Sequence, residues 1–156
     1  MKIPNFLKKI KKQEQLELVE PSEEIKESYL VDSESYLSSA KTLFQGNKLK
    51  ETTQLTYFSI YYSILALLFK IGIKSENHFA SVILLKEVFG IDNSFALLCR
   101  KKRVATYYPD FEIEKQSLKK LIKDAERFNG ELLDFISRLT QGEIKIYRIK
   151  FMNLFK

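Results

Sequence analysis

The stretch TTQLTYFSIYYSILALLF, residues 52–69, decides the fold of this chain because it runs for eighteen residues without a charge. As an α-helix it would span about 27 Å, close to the length that crosses a bilayer. It also carries six polar side chains that lipid would leave without partners: Thr52, Thr53, Gln54, Thr56, Ser59 and Ser63. We therefore predict a buried central helix over residues 49–71 and no membrane span.

This helix has apolar residues on two sides. One stripe consists of Leu55, Phe58, Tyr62, Leu65, Ala66 and Phe69, and the other of Tyr57, Ile60, Tyr61, Ile64, Leu67 and Leu68. A helix that is apolar all round is buried among neighbours. The second stripe is therefore expected to contact other helices of the chain or a second copy.

Helical periodicity extends to both sides of the central helix. Apolar residues recur at three- and four-residue spacing over 22–45, 78–89, 93–104 and 114–140. Ser22 and Asp92 are suited to cap the first and the fourth of the five helices. Five glycines and three prolines are few for an all-β protein. The sequence thus predicts one all-α domain, an up-and-down bundle of four or five helices.

Single copies of two residue types limit the chemistry. Cys99 is the only cysteine and His78 the only histidine, so a disulfide framework is excluded and a structural zinc site is not expected. We expect no cofactor and no metal. Cys99 is interpreted as a small core residue, with a thiol activated by neighbouring cations as the alternative. The first ten residues lack the apolar core of a signal peptide, and we expect a cytoplasmic protein.

The net charge of +6 is concentrated at the ends of the chain. Five lysines lie within residues 1–12 and four cations within 144–156, and neither segment contains an acid. We expect a basic N-terminal extension (1–21), a helical domain (22–140) and a basic C-terminal tail (141–156), with mobile ends. Such charge favours nucleic acid or an anionic membrane as a partner, against the alternative of ends that only aid solubility.

A second cationic cluster lies before two tyrosines. Its members are Arg100, Lys101, Lys102 and Arg103, and Tyr107 and Tyr108 follow shortly after. Guanidinium groups bind phosphate well, whereas a phenol with a pKa near 10 is a poor base at neutral pH. The cluster therefore predicts anion binding more readily than proton transfer. The alternative is a solvated helix C-terminus, where cations are favoured in any case. Asp110 and Glu112 flank the cluster and could pair with it.

Five short segments occur in an order that resembles the HEPN domain of archaea and bacteria. They are YLSSAK at 36–41, YFSIYYSILALL at 57–68, GIK at 72–74 (followed by His78), RVATY at 103–107 and FEI at 111–113. The resemblance covers about residues 22–140. It implies a four-helix bundle that pairs as a homodimer through its central helices. The dimer residues would then be Tyr57, Tyr61, Tyr62, Ile64 and Leu68.

Many HEPN proteins, the family that this chain resembles, are metal-independent ribonucleases. They use an arginine and a histidine that are separated by four to six residues. Their copies meet in a cleft, and a minimal nucleotidyltransferase often restrains them, in some pairs by attaching AMP to a tyrosine beside the motif. The resemblance therefore implies Tyr107 and Tyr108 as AMP acceptors. In this chain Ala105, Thr106 and Tyr107 stand at the histidine positions after Arg100, and Tyr108, Pro109 and Asp110 stand there after Arg103.

The missing histidine favours a binding module over an enzyme. Without its general base, such catalysis typically loses about 10²–10⁴-fold. We expect a dimer that binds a nucleotide, RNA or a nucleotidyltransferase through Arg100, Lys101, Lys102, Arg103, Tyr107 and Tyr108. The alternative is an endoribonuclease toxin whose catalytic groups are Arg103 with Tyr107 or His78. The alternative for His78 is a loop histidine that is hydrogen-bonded to the backbone. The remaining hypothesis for the whole protein is a purely structural adaptor.

Overall fold

The computed structural model describes residues 3–156, which form seven α-helices and a short two-stranded ribbon. The elements are α1 (Ile3–Lys12), β1 (Leu16–Leu18), α2 (Glu23–Gln45), α3 (Leu49–Ile71), β2 (Ile73–Ser75), α4 (His78–Glu87), α5 (Ser94–Ala105), α6 (Lys115–Arg138) and α7 (Gln141–Asn153). The prediction of an all-α protein is confirmed. The antiparallel pairing of β1 with β2, which sets Leu16 opposite Ser75, was not predicted.

Helix α3 is the centre of the molecule, as the uncharged run predicted. It contacts α2, α4, α5, α6 and α7. By length and composition it could cross a membrane, but 72% of its most apolar window is buried inside the fold, as is typical of a core helix. Its three threonine hydroxyls are satisfied within the helix and its N-terminal cap, since Thr52, Thr53 and Thr56 each donate to the carbonyl oxygen four residues earlier.

Both apolar stripes of α3 are covered within a single copy of the chain. Tyr57, Tyr61, Ile64 and Leu68 are at most 5% exposed, and Tyr62 is partly buried. Tyr62 packs against rings of α2, including a stacked contact of 5.1 Å with Tyr36. Four of the five side chains assigned to a dimer contact are thus core residues, and Tyr62 packs against the core, because the chain's own helices already cover them. Dimerisation itself stays a prediction.

A buried polar network joins α2, α3 and α6. The Ser33 hydroxyl lies 2.7 Å from the Ser63 hydroxyl and donates to the Ser59 carbonyl at 2.7 Å. From α6, the Asn129 amide oxygen accepts from Ser63, and its nitrogen donates to Ser59, both at 2.8 Å. Each polar group therefore has a partner, and the network fixes how the three helices meet.

The basic ends, which were expected to be mobile, each contain a helix, α1 and α7. Leu7 and Ile10 of α1 and Ile144 and Phe151 of α7 are at most 5% exposed, so both helices pack onto the core. These apolar residues are few and are spaced among lysines, which is why the charge masked them in the sequence. Met1 and Lys2 lie outside the described residues.

Candidate functional site

Two arginines of α5 face the aromatic side chains of α3 and α4. Arg100 and Arg103 are three residues apart, which places them on one face of the helix. The guanidinium carbon of Arg103 lies 4.8 Å from the ring centroid of Tyr57, and that of Arg100 lies 4.9 Å from the ring of Phe79. These are cation–π distances, so the rings hold both cations in place without neutralising them.

The two arginines have no acidic partner among the residues that the structure describes. The Nε atoms of Arg100 and Arg103 are buried and lack a hydrogen-bond partner within residues 3–156. In the same range no carboxylate lies within 4.0 Å of either guanidinium, so Asp110 and Glu112 do not pair with them. Buried donors of a charged group are normally paired. This face of α5 is therefore suited to bind an anion.

His78 joins the same cluster from the first turn of α4. Its Nδ1 atom lies 3.0 Å from the Tyr57 hydroxyl, and its ring stacks on Tyr61 at 3.9 Å between centroids. Asn77 caps α4 by accepting a hydrogen bond from the Ala80 backbone. This cap fixes the start of the helix, and His78 is its first residue. His78 is therefore held by side chains and not by backbone, and Tyr57 connects it to Arg103.

Burial and positive charge control ionisation in this cluster. Burial is the main cause that lowers the pKa of His78, and Arg103 and then Arg100 add to the effect. Burial also raises the pKa of the Tyr57 and Tyr61 hydroxyls. At neutral pH the site therefore contains an uncharged imidazole, uncharged phenols and two guanidinium cations.

The other predicted site residues are divided between two sides of α5. Tyr107 is 63% exposed and its ring lies 5.6 Å from the Arg103 guanidinium. Tyr108, 61% exposed, instead lines a cleft of about 420 Å³ with Lys102. Lys101 is exposed on the outer side of the helix. The structure thus brings Arg100, Arg103, His78 and Tyr107 together and leaves Lys101, Lys102 and Tyr108 outside.

A contact from α3 fixes the end of α5 beside the site. Gln54 donates a hydrogen bond of 2.9 Å to the Thr106 hydroxyl, which in turn donates to the Arg103 carbonyl at 2.6 Å. Thr106 is fully buried. Gln54 and Phe79 were not predicted as site residues, and Tyr57 and Tyr61 were predicted only as dimer contacts. The signal that could have assigned Tyr57 and Tyr61 to this site is their position on one face of α3, with the only histidine of the sequence following shortly after that helix.

Neither a reactive thiol nor a group of metal-ligating side chains is found among the described residues. Cys99 is 1% exposed and burial raises the pKa of its thiol to about 12, so it is the core residue that the sequence suggested and not an activated thiol. Within residues 3–156, no three side chains of His, Cys, Asp or Glu are grouped so as to hold a metal ion.

Comparison with known proteins adds one finding. The family model described as the HEPN domain matches residues 26–135, which is more than half of the chain. No curated protein matches the chain. The matched range includes His78, Arg100, Arg103 and Tyr107, while α1 and α7 lie outside it.

Proposed function

The chain belongs to the HEPN domain family, and on that premise we propose that it is a nucleotide- or RNA-binding module with weak or no nuclease activity. The ligand would bind at the face of α5 formed by Arg100 and Arg103, beside the exposed ring of Tyr107. The observation that carries the proposal is the pair of guanidinium groups without an acidic partner among the described residues.

The chemistry of these side chains fits a phosphate with an attached base. A guanidinium binds phosphate oxygens through charge-assisted, often bidentate hydrogen bonds. Stacking of a base on an exposed aromatic ring adds about 1–3 kcal/mol and tolerates any base. The Arg103 guanidinium carbon lies 5.6 Å from the centroid of the Tyr107 ring, so one nucleotide could contact both side chains.

A second candidate function is metal-independent RNA cleavage. It is favoured by the position of His78, which reaches Arg103 through their shared contact with Tyr57. If Nδ1 donates its proton to the Tyr57 oxygen, Nε2 has a free lone pair that can accept the proton of a ribose 2′-hydroxyl. Arg103 would then stabilise charge on the phosphate, and the lowered pKa of His78 keeps the base unprotonated at neutral pH.

We propose further that the protein is a cytoplasmic homodimer with a minimal nucleotidyltransferase as a partner. The exposure of Tyr107 and Tyr108 supports their role as AMP acceptors, since a transferase must reach the phenol. In that reaction the phenol oxygen attacks the α-phosphorus of ATP, pyrophosphate leaves, and the phenol proton passes to solvent. The added phosphate would lie beside Arg103 in the case of Tyr107.

Binding is tested with fluorescently labelled single-stranded RNA between about 50 and 200 mM salt. Arg103→Gln should lower the affinity about tenfold or more, because it removes a phosphate contact. Lys101→Gln is the matched control, with the same loss of charge on the outer side of α5. Equal effects of the two substitutions would contradict the proposed site. If charge reversal of all four residues 100–103 changed no binding, the structural adaptor would be the better description.

Cleavage separates the two candidate functions. The same RNA is incubated with the protein in the presence of a metal chelator, and we expect no products beyond background. Cleavage that disappears in both Arg103→Ala and His78→Ala would overturn the binding module in favour of the ribonuclease.

A further inference from the structure

Helix α1 presents a lysine-rich surface to solvent. Lys8, Lys9, Lys11 and Lys12 are all exposed and lie in its last two turns. With Asn5 and Phe155 they line an open groove of about 690 Å³, where the Lys11 ammonium lies 5.4 Å from the Phe155 ring centroid. Among the residues that the structure describes, no carboxylate lies within 4.0 Å of these four ammonium groups. We call this surface the α1 groove.

Aromatic contacts connect the α1 groove to the arginines of α5. Phe6 of α1 meets Phe79 of α4 edge to face, with 5.2 Å between ring centroids. The Arg100 guanidinium carbon lies over the same Phe79 ring, 4.9 Å from its centroid. Lys9 is three residues from Phe6, and so it lies on the adjacent helix surface. Phe6 and Phe79 therefore place the lysines of α1 and the arginines of α5 on neighbouring parts of the molecule.

From these contacts we infer that the α1 groove is a second phosphate-binding surface, which extends the path of a single-stranded RNA beyond the arginines. This inference rests on the proposed function of the α5 site. Lys12 and Phe6 are about 9 Å apart along the helix axis. With the distances from Phe6 to Phe79 and from Phe79 to Arg100, the path from Lys12 to Arg100 is at most about 20 Å long. A stacked strand rises about 3.4 Å per nucleotide, and about six nucleotides would cover this length.

The packing of α1 favours a nucleic acid over a membrane as the occupant. A helix that lies in a membrane surface inserts its apolar face into the lipid. In α1 that face is occupied by the fold, since Leu7 and Ile10 are 0% and 5% exposed. What the helix offers to a partner is mainly charge, which suits the phosphates of a polynucleotide.

The test compares a long and a short RNA. The triple variant Lys8→Gln, Lys9→Gln, Lys12→Gln should bind an RNA of about 16 nucleotides at least about tenfold more weakly than the wild type. The slope of log K against log salt concentration should become less steep by about 2. Its affinity for a trinucleotide, which reaches only the arginines, should not change. The matched control is Lys115→Gln, Lys119→Gln, Lys123→Gln, which removes the same charge from exposed positions of α6.

Several results would overturn the inference. One is an equal loss of affinity in the α1 variant and the α6 control, and another is a loss of trinucleotide binding in the α1 variant. A third is an α1 variant that binds RNA as the wild type does but no longer sediments with vesicles that contain an anionic lipid. That result would identify the α1 groove as a membrane-binding surface. The proposed function fails on a different variant, because Arg103→Gln must weaken the binding of both RNAs. Thermal unfolding followed by circular dichroism verifies that each variant is folded.

Discussion

Arg148 of α7 donates a hydrogen bond of 2.8 Å to the carbonyl oxygen of Val19, a residue 129 positions earlier in the chain. The same Nη1 atom also donates to the carbonyl oxygens of Ile71 at 2.8 Å and Gly72 at 3.2 Å, where α3 ends. A cation is favoured at the C-terminal end of a helix, where carbonyl groups lack partners within the helix. One side chain thus ties α7 and the segment after β1 to the end of the central helix.

Loss of this guanidinium should destabilise the whole protein. Arg148→Met keeps much of the aliphatic stem but leaves the carbonyls of Val19 and Ile71 without their donor. Hydrogen bonds to a charged group contribute about 1.5–3 kcal/mol, and we expect the free energy of unfolding to fall by about 3 kcal/mol. Urea unfolding measures it. Lys145→Met, at an exposed position of the same helix, is the control and should change it by less than about 0.5 kcal/mol.

Gly72 should not tolerate a side chain. Its φ is +83°, and a Cβ atom would overlap the Arg148 guanidinium and the Val19 carbonyl. We expect Gly72→Ala to lower the free energy of unfolding by about 2 kcal/mol or more, from strain and the displaced contact. Gly130→Ala is the control, because nothing lies near its Cβ position in α6 and alanine favours a helix. A Gly72→Ala protein as stable as Gly130→Ala would contradict this account of the turn.

The network that joins α2, α3 and α6 should depend on each of its members. Ser63→Ala removes the donor to the Asn129 amide oxygen and one of the two partners of the Ser33 hydroxyl. A buried polar group without a partner costs about 1–3 kcal/mol, and we expect a loss of stability of that size. Ser39→Ala, at an exposed position of α2, makes the same chemical change and should have almost no effect. Equal thermal unfolding temperatures for the two variants would refute the role of the network.

Stability should depend on pH through His78. Its folded pKa is lowered from the ordinary 6.5, so below about pH 7 the unfolded chain binds the proton more readily. The contribution of the neutral imidazole is complete above that range and is lost as pH falls through 6.5 toward the folded pKa. The advantage of the wild type over His78→Gln should therefore shrink between about pH 7.5 and 5.5 in urea unfolding. Parallel stability curves for the two proteins would show that His78 is not held neutral by the fold.

The sequence predicted helices where strong local signals marked both ends. Helix α3 begins and ends at the predicted residues 49 and 71, because Gly46-Asn47 and Gly72 flank an unbroken apolar run. Ser22 caps α2 as predicted, and its hydroxyl accepts from the Ile25 backbone at 3.1 Å. Helix α7 was missed because Gly142 signalled a stop, while the residues that begin the new helix, Thr140 and Glu143, form a capping box around it.

The site was predicted in part. The cation cluster at 100–103 is visible in sequence, but the division of its charges between two sides of α5 depends on helix packing. His78 is 25 residues from Arg103, and only the packing of α4 and α5 against α3 brings both to Tyr57. Side chains that meet by tertiary packing have no fixed spacing, so periodicity could not select His78 over the alternative of a loop histidine.

The contact between α7 and Val19 also has a consequence for folding on the ribosome. The partner carbonyls at residues 19, 71 and 72 are made long before Arg148, and a chain grows at about 5–20 residues per second. These carbonyls therefore lack their donor for several seconds, the time needed to synthesise the chain as far as Arg148. During that interval the nascent chain can form α3 but cannot secure its end. We expect the end of α3 to be fixed only after α7 has been synthesised.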